Sequence, residues 1–128
     1  AASTPQGRDF GYVFLNCRLT ADEGLTKVHL GRPWRPYART VFIECWMGGH
    51  ILPHGWDNWR NPANESTAYY AEYDSRGPGA NPAGRVKWSH QLDPLEAAHY
   101  TIANILGGRD NWDPLRDRTG VTKYDTKN

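Results

Sequence analysis

Long aliphatic runs are missing from this 128-residue sequence. None approaches the roughly 20 apolar residues that a membrane-spanning helix requires. No basic start leads into an apolar run, so the pattern of a secretory leader is absent as well. A trimmed secreted protein would look the same, and the sequence therefore does not argue for a cytoplasmic home. Two cysteines are too few for a disulfide scaffold and lack zinc-site spacing. Charge of one sign is not in excess: 15 Lys and Arg face 14 Asp and Glu. The basic residues are scattered and do not form the stripe that nucleic-acid binding favours. The five histidines, His29, His50, His54, His90 and His99, form no recognisable metal-binding pair. His50 and His54 are four apart, but Pro53 between them argues against one helical face. The expectation is no metal, no cofactor, no nucleic acid and no membrane.

What is abundant is Gly, Pro, Trp and Tyr, at 13, 9, 6 and 7 residues. A short repeat runs through them. Tyr12-Val13-Phe14-Leu15-Asn16-Cys17 matches Thr40-Val41-Phe42-Ile43-Glu44-Cys45, 28 positions later. One short strand per 20–50 residues is the pattern of a solenoid, and a parallel β-helix is the natural candidate. On that model Cys17 and Cys45 occupy neighbouring rungs about 4.8 Å apart. That spacing is close to what a disulfide tolerates, although a reduced ladder of two small side chains is the favoured arrangement. Further strands are expected at Lys27–Leu30, Ala68–Tyr73 and Val86–Ser89, separated by long irregular stretches at His50–Asn64 and Ser75–Gly84. Loops of that length usually serve a function. One helix is expected from Asp93 to Leu106. Asp93 is a suitable N-cap, Pro94 suits the first helical position, and Glu96 stands three residues after the cap. Leu95, Ala98, Ile102, Ile105 and Leu106 would share its apolar face, and Gly107-Gly108 would stop it. The start of the chain enters a buried-type strand within a dozen residues. It therefore reads as beginning in the middle of a domain, with an open first rung that could pair with another chain.

The hexapeptide Leu30-Gly31-Arg32-Pro33-Trp34-Arg35 carries the most chemistry. In an extended segment residues two apart share a face, and Pro33 pushes Arg32 out of the helical region. A guanidinium fork and an indole can then project together, which suits a site that orients a carboxylate beside a flat sugar ring.

Leu-Gly-Arg-Pro-Trp is also the signature of the pectin methylesterases, and the chain resembles the C-terminal part of that family's catalytic domain along nearly its whole length. Gln6-Gly7-Arg8, Asn16-Cys17-Arg18, Gly55-Trp56, Ala71-Glu72-Tyr73, Gly77–Ala80 and Trp112-Asp113-Pro114 extend the match. The resemblance implies an all-β, right-handed parallel β-helix with long cleft-forming loops and one C-terminal helix. Residues 1–118 would be its C-terminal portion and 119–128 a polar tail. In the family one Asp attacks the methyl-ester carbonyl. A second Asp protonates the leaving methanol and then activates water, and Gln side chains stabilise the oxyanion. Two nearby carboxylates can divide such roles because each pushes the other's pKa. By resemblance Arg32 is the catalytic residue that orients the nucleophilic Asp, and Trp34 stacks on galacturonate. Tyr37, Met47 and Trp56 fall at substrate-contacting positions.

Both catalytic Asp motifs lie upstream of the matched region and have no counterpart here. Asp9-Phe10-Gly11 is only superficially similar to one of them, because it follows the Gln-Gly-Arg segment where the family has a turn. The oxyanion Gln positions are missing too. The expected function is thus pectinesterase-like hydrolysis of methyl-esterified homogalacturonan to release methanol. This chain would carry the Arg/Trp half of the site and be inactive alone. The expected setting is secreted, periplasmic or cell-surface. The alternatives are a non-catalytic pectin-binding fragment, with Trp34, Trp46, Trp56 and Trp59 as a sugar platform, and a structural β-helix segment that self-associates through its first rung.

Overall fold

The 28-residue repeat sets the register of the sheet. In the computed structural model, which describes residues 2–116, β1 (Tyr12–Leu15) pairs in parallel with β3 (Arg39–Ile43). The partners run from Tyr12 with Thr40 to Leu15 with Ile43, an offset of 28 throughout. Strand β5 (Tyr69–Tyr73) adds to β3, and β6 (His90–Gln91) adds to β5, giving the order β1-β3-β5-β6. A second line of pairing joins β2 (Arg18–Leu19) to β4 (Trp46–Met47) in parallel and continues through a bridge from Trp46 to Arg76. A third line consists of single bridges: Val28 with Ile51, Gly31 with Trp56, and Ala2 with Pro33. Three lines of parallel pairing, each gaining one rung per turn, make a parallel β-helix.

The corner between the first two lines has a simple cause. Asn16, Glu44 and Asp74 all take the left-handed conformation, at φ 55, 52 and 49°. Each stands just past a strand of the first line, and one left-handed residue breaks the pleat and redirects the chain. Asn16 N–H donates to Ile43 O at 2.9 Å and Glu44 N–H to Tyr73 O at 2.8 Å, so the corners remain part of the ladder.

Inward side chains stack from rung to rung. Phe14 and Phe42 lie 4.7 Å apart at 10° between planes, and Trp56 lies 4.3 Å from Tyr70 at 22°. The first distance is the spacing between neighbouring strands. Met47, Cys45, Ile51 and Ala38 complete this core. Cys17 and Cys45 are free thiols. Cys45 Sγ lies 3.4 Å from the carbonyls of Phe14 and Ile43, and Cys17 Sγ lies 3.5 Å from that of Leu15. This is the reduced ladder.

Three expected elements differ. Lys27–Leu30 contributes a single bridge at Val28 in place of a strand. The strand expected at Val86–Ser89 lies instead at His90–Gln91, because Ser89 closes a turn on Val86 with both its N–H and its hydroxyl. The single C-terminal helix is two: α2 (Pro94–Ala98) and α3 (Ile102–Leu106), after the short α1 (Asn64–Thr67). Asp93 and Glu96 form the expected reciprocal cap on α2. Thr101 is extended at φ −102° and ψ 156°, and its hydroxyl accepts from Asn104 N–H, so it starts a new helix. Ala97 is the buried residue of α2, whereas Leu95 is 85% exposed. The chain divides into two units, 1–98 and 99–128. The expected tail at 119–128 lies outside the described residues.

Candidate functional site

Pro33 anchors the hexapeptide. It is fully buried and paired with Ala2, while Arg32 and Trp34 on either side stand exposed. Ala2 N–H donates to Arg32 O, and Arg35 N–H donates to Ala2 O. The guanidinium of Arg32 lies 4.3 Å from the centre of the Trp59 ring. Arg32 lines two cavities. One, of about 590 Å³, is formed with Asp57, Trp59 and Arg60. The other, of about 240 Å³, is formed with Ala2, Tyr12, Phe14, Leu30, Gly31, Thr40 and Tyr70.

The loop that brings Trp59 under Arg32 is held by its own side chains. Asp57 Oδ2 accepts from Trp59 N–H at 3.2 Å, and Asn58 Oδ1 accepts from Arg60 N–H at 3.0 Å. Asn58 Nδ2 donates to Glu65 at the start of α1. Trp59 and Arg60 both have left-handed backbones, at φ 58 and 57°. Two consecutive bulky residues in that region cost energy. The Asx turns hold them there, and the strain sits at the wall of the larger cavity.

Of the residues expected to touch substrate, two are misplaced for it. Met47 is 0% and Trp56 is 1% exposed. Met47 Sδ lies 3.5 Å from Arg85 Nη2, and Trp56 is sandwiched among Phe42 and Tyr70. Both are core residues. Their side chains follow the inward alternation of the coil, which family position alone does not reveal. Trp56 therefore drops out of the four-tryptophan platform, and Trp46 is half-buried beneath the Arg18 guanidinium, 4.3 Å away. Trp34, 59% exposed, lines neither cavity and has Arg35 5.9 Å from its ring. Tyr37 is also exposed. Arg32 is thus brought together with Trp59, the later tryptophan, more closely than with its hexapeptide neighbour. Asp9 sits exposed in a bend and lines neither cavity.

Sequence reasoning passed over two features. Asp57 puts a carboxylate into the Arg32 cavity; its place one residue after Gly55-Trp56 was the available signal. The other is a buried ion pair. Arg85 Nε donates to Glu72 Oε2 at 2.8 Å and Arg85 Nη2 to Glu72 Oε1 at 3.2 Å. The remaining guanidinium hydrogens go to the carbonyls of Leu52, Pro53 and Gly79. Ser75 and Gln91 donate to the same carboxylate. With its lone pairs filled, Glu72 is a structural tie that knots three loops to β5 and is not an acid for catalysis. His29 and His54, which no sequence spacing linked, also meet across two turns. In the smaller cavity the Tyr70 hydroxyl is buried with no hydrogen-bond partner among the described residues. Burial, and then the negative charge of Asp57, push its pKa well up, so it remains a neutral phenol.

Comparison with known proteins identifies the fold and the family. The pectinesterase family model matches residues 2–109. A pectinesterase/pectinesterase inhibitor of Brassica campestris is 43% identical over 103 residues, covering 75% of this chain and 18% of the relative. The pectin methylesterase from carrot superposes with a TM-score of 0.75 at 30% identity, covering 85% of this chain and 37% of that one. A pectin methylesterase in complex with a hexasaccharide superposes at 0.62 with 30% identity, covering 84% and 37%. The chain therefore spans well under half the length of the proteins it matches. Its fold is the right-handed parallel β-helix of these enzymes, and the chain belongs to the pectinesterase family.

Proposed function

We propose that this chain supplies the arginine and aromatic half of a pectin methylesterase site. It acts on methyl-esterified homogalacturonan when joined to the upstream rungs that carry the two catalytic Asp residues and the oxyanion Gln residues. The observation that carries this reading is Arg32 lying 4.3 Å over Trp59 at the mouth of a cavity of about 590 Å³. A guanidinium held on an aromatic face keeps its outer N–H groups free to grip a carboxylate in fork geometry. In the complete site that carboxylate is the nucleophilic Asp, kept ionised and aimed by Arg32. Arg32 and Arg60 outweigh Asp57 in charge around the cavity, which favours an anionic galacturonate chain. The exposed faces of Trp34 and Trp59 offer sugar rings flat apolar surface. Tyr37 is exposed and open to substrate in this scheme, whereas Met47 and Trp56 lie in the core. The upstream rungs would add at β1, the edge strand of the sheet. A pectin-modifying enzyme works where pectin is, so we assign the complete protein to a secreted, periplasmic or cell-surface setting.

The test is methanol release from methyl-esterified pectin. The 128-residue chain alone should release none above background, because losing a single oxyanion donor already costs roughly a hundredfold or more and here the acids are absent as well. A chain extended by the upstream rungs should turn over, and Arg32→Ala in it should depress turnover by about two orders of magnitude or more. Turnover by the isolated chain that survives Arg32→Ala would overturn the assignment, since the acids would then lie elsewhere in these residues. Pectin binding without turnover even in the extended chain would favour the carbohydrate-binding alternative.

A further inference from the structure

His29 and His54 are 25 positions apart in sequence and meet tip to tip. Their Nε2 atoms are 3.0 Å apart, and their rings lie 5.0 Å apart at 60° between planes. The backbone holds both in place. On either side of His29, Val28 N–H donates to His50 O at 2.8 Å and Leu30 N–H to Gly55 O at 2.6 Å. Leu52 N–H donates back to Val28 O at 2.9 Å. The carbonyl of His54 accepts from Trp56 and Val86. Two imidazoles on pinned backbones are preorganised, so little ordering remains to be done when a ligand arrives.

At this separation only one proton fits between the two Nε2 atoms, so the rings share a hydrogen bond and cannot both be imidazolium while in contact. Burial lowers the pKa of His29, and His54 and Arg32 lower it further, while Asp57 acts in the opposite direction. Neutral imidazole is the form that ligates transition metals. Two nitrogens bound to one ion at about 2.0–2.1 Å stand about 2.9 Å apart at a right angle and about 3.4 Å apart at the tetrahedral angle. The 3.0 Å separation of the ion-free pair lies within this range, and imidazole nitrogens bind Cu²⁺ and Ni²⁺ strongly by intrinsic affinity.

We propose that His29 and His54 form a two-imidazole chelate for a borderline divalent transition ion, Cu²⁺ or Ni²⁺ ahead of Zn²⁺, beside the Arg32 groove. Among the described residues no cluster of three His, Cys, Asp or Glu side chains exists, so water completes the coordination and affinity is modest. Asp57 contributes charge without a bond, and its influence at His29 exceeds the opposing one of Arg32. Binding moves the shared proton from Nε2 to Nδ1 of the same ring, so both rings ligate as neutral Nδ1–H tautomers with no net proton release. The ion would clip the segment that carries Arg32 to the turn that leads into Trp59, so occupancy stiffens the groove from outside. This site stands independently of any ester chemistry.

The experiment is calorimetric titration of Ni²⁺ and Cu²⁺ into the 128-residue chain, its His29→Asn and His54→Asn variants, and His50→Asn as a control. A single preferred Ni²⁺ site is expected. Each of the first two variants should lose at least about tenfold in affinity, because a chelate needs both arms. His50→Asn should match the parent chain. Ring resonances recorded during Zn²⁺ titration of the unsubstituted chain make the test independent of variant folding; those of His29 and His54 should move first and together. Ni²⁺ affinity that survives either substitution, an unsubstituted chain that binds none of the three ions, or Zn²⁺ shifts confined to other histidines would overturn the proposal.

Discussion

Arg85 shows what one residue holds together. Its guanidinium satisfies Glu72 and three loop carbonyls from a position where its side chain is 2% exposed. Breaking a buried ion pair by removing one partner leaves the other charge stranded, at about 3–5 kcal/mol. Arg85→Met is expected to cost that much in urea unfolding of the 128-residue chain. Removing both charges, in Glu72→Leu with Arg85→Met, should recover a large part of it. The same arginine explains Gly55, where φ is +75° and a Cβ would come within 2.6 Å of Arg85 Cδ. Histidine 29 gives a pH prediction of definite sign. Its folded pKa lies below 6.5, so the unfolded chain binds more protons as the solution is acidified. Its contribution to stability is complete above the unfolded value and is lost as pH falls through the lower folded one. The melting temperature should therefore drop on going from pH 7.5 to pH 5, and His29→Asn should flatten that slope. Neither pair was legible in the sequence: Glu72 and Arg85 are 13 positions apart, His29 and His54 are 25, and only the stacking of turns brings each pair within reach.

At the scale of elements, the ladder was legible where the same kinds of side chain recur at one spacing. Val13 over Val41 and Phe14 over Phe42 are stacked because a parallel rung places like beside like, so a 28-residue repeat becomes a register. The polar residue before the cysteine of each repeat, Asn16 or Glu44, is a left-handed corner. The cap of α2 was legible for a similar reason, since its two reciprocal hydrogen bonds lie within four residues. Burial was less legible. Met47 and Trp56 were assigned by family position to substrate contact, yet each turns inward because its neighbours in the coil do. The strand placed at Val86–Ser89 failed because Ser89 satisfies its donors on Val86 in a turn, a local competition that pattern alone does not show. The corners themselves can be tested. Glu44→Gly should be neutral or stabilise by up to about 1 kcal/mol, since glycine takes the left-handed conformation without penalty. Glu44→Val should cost about 1–3 kcal/mol, because a β-branched residue there is strained. Thermal unfolding of the two variants separates these outcomes.

At the scale of the whole molecule, the chain covers a minor part of its relatives' length, 18% of the Brassica protein and 37% of the carrot enzyme. The proposed division of labour follows from that proportion: these rungs contribute cation and aromatic surface, and the acids come from rungs that this sequence does not match. The central claim is that Arg32 over Trp59 presents a guanidinium fork for a carboxylate, which in this chain without the nucleophilic Asp is open to the carboxylates of an acidic sugar chain. Calorimetric titration of the 128-residue chain with an oligogalacturonate tests it most directly, with a neutral oligosaccharide of equal length as the comparison. The account predicts weak binding of the acidic oligomer that falls as salt is raised, drops at least about tenfold in Arg32→Ala, and is absent for the neutral oligomer. Oligogalacturonate binding that is unchanged in Arg32→Ala would contradict it.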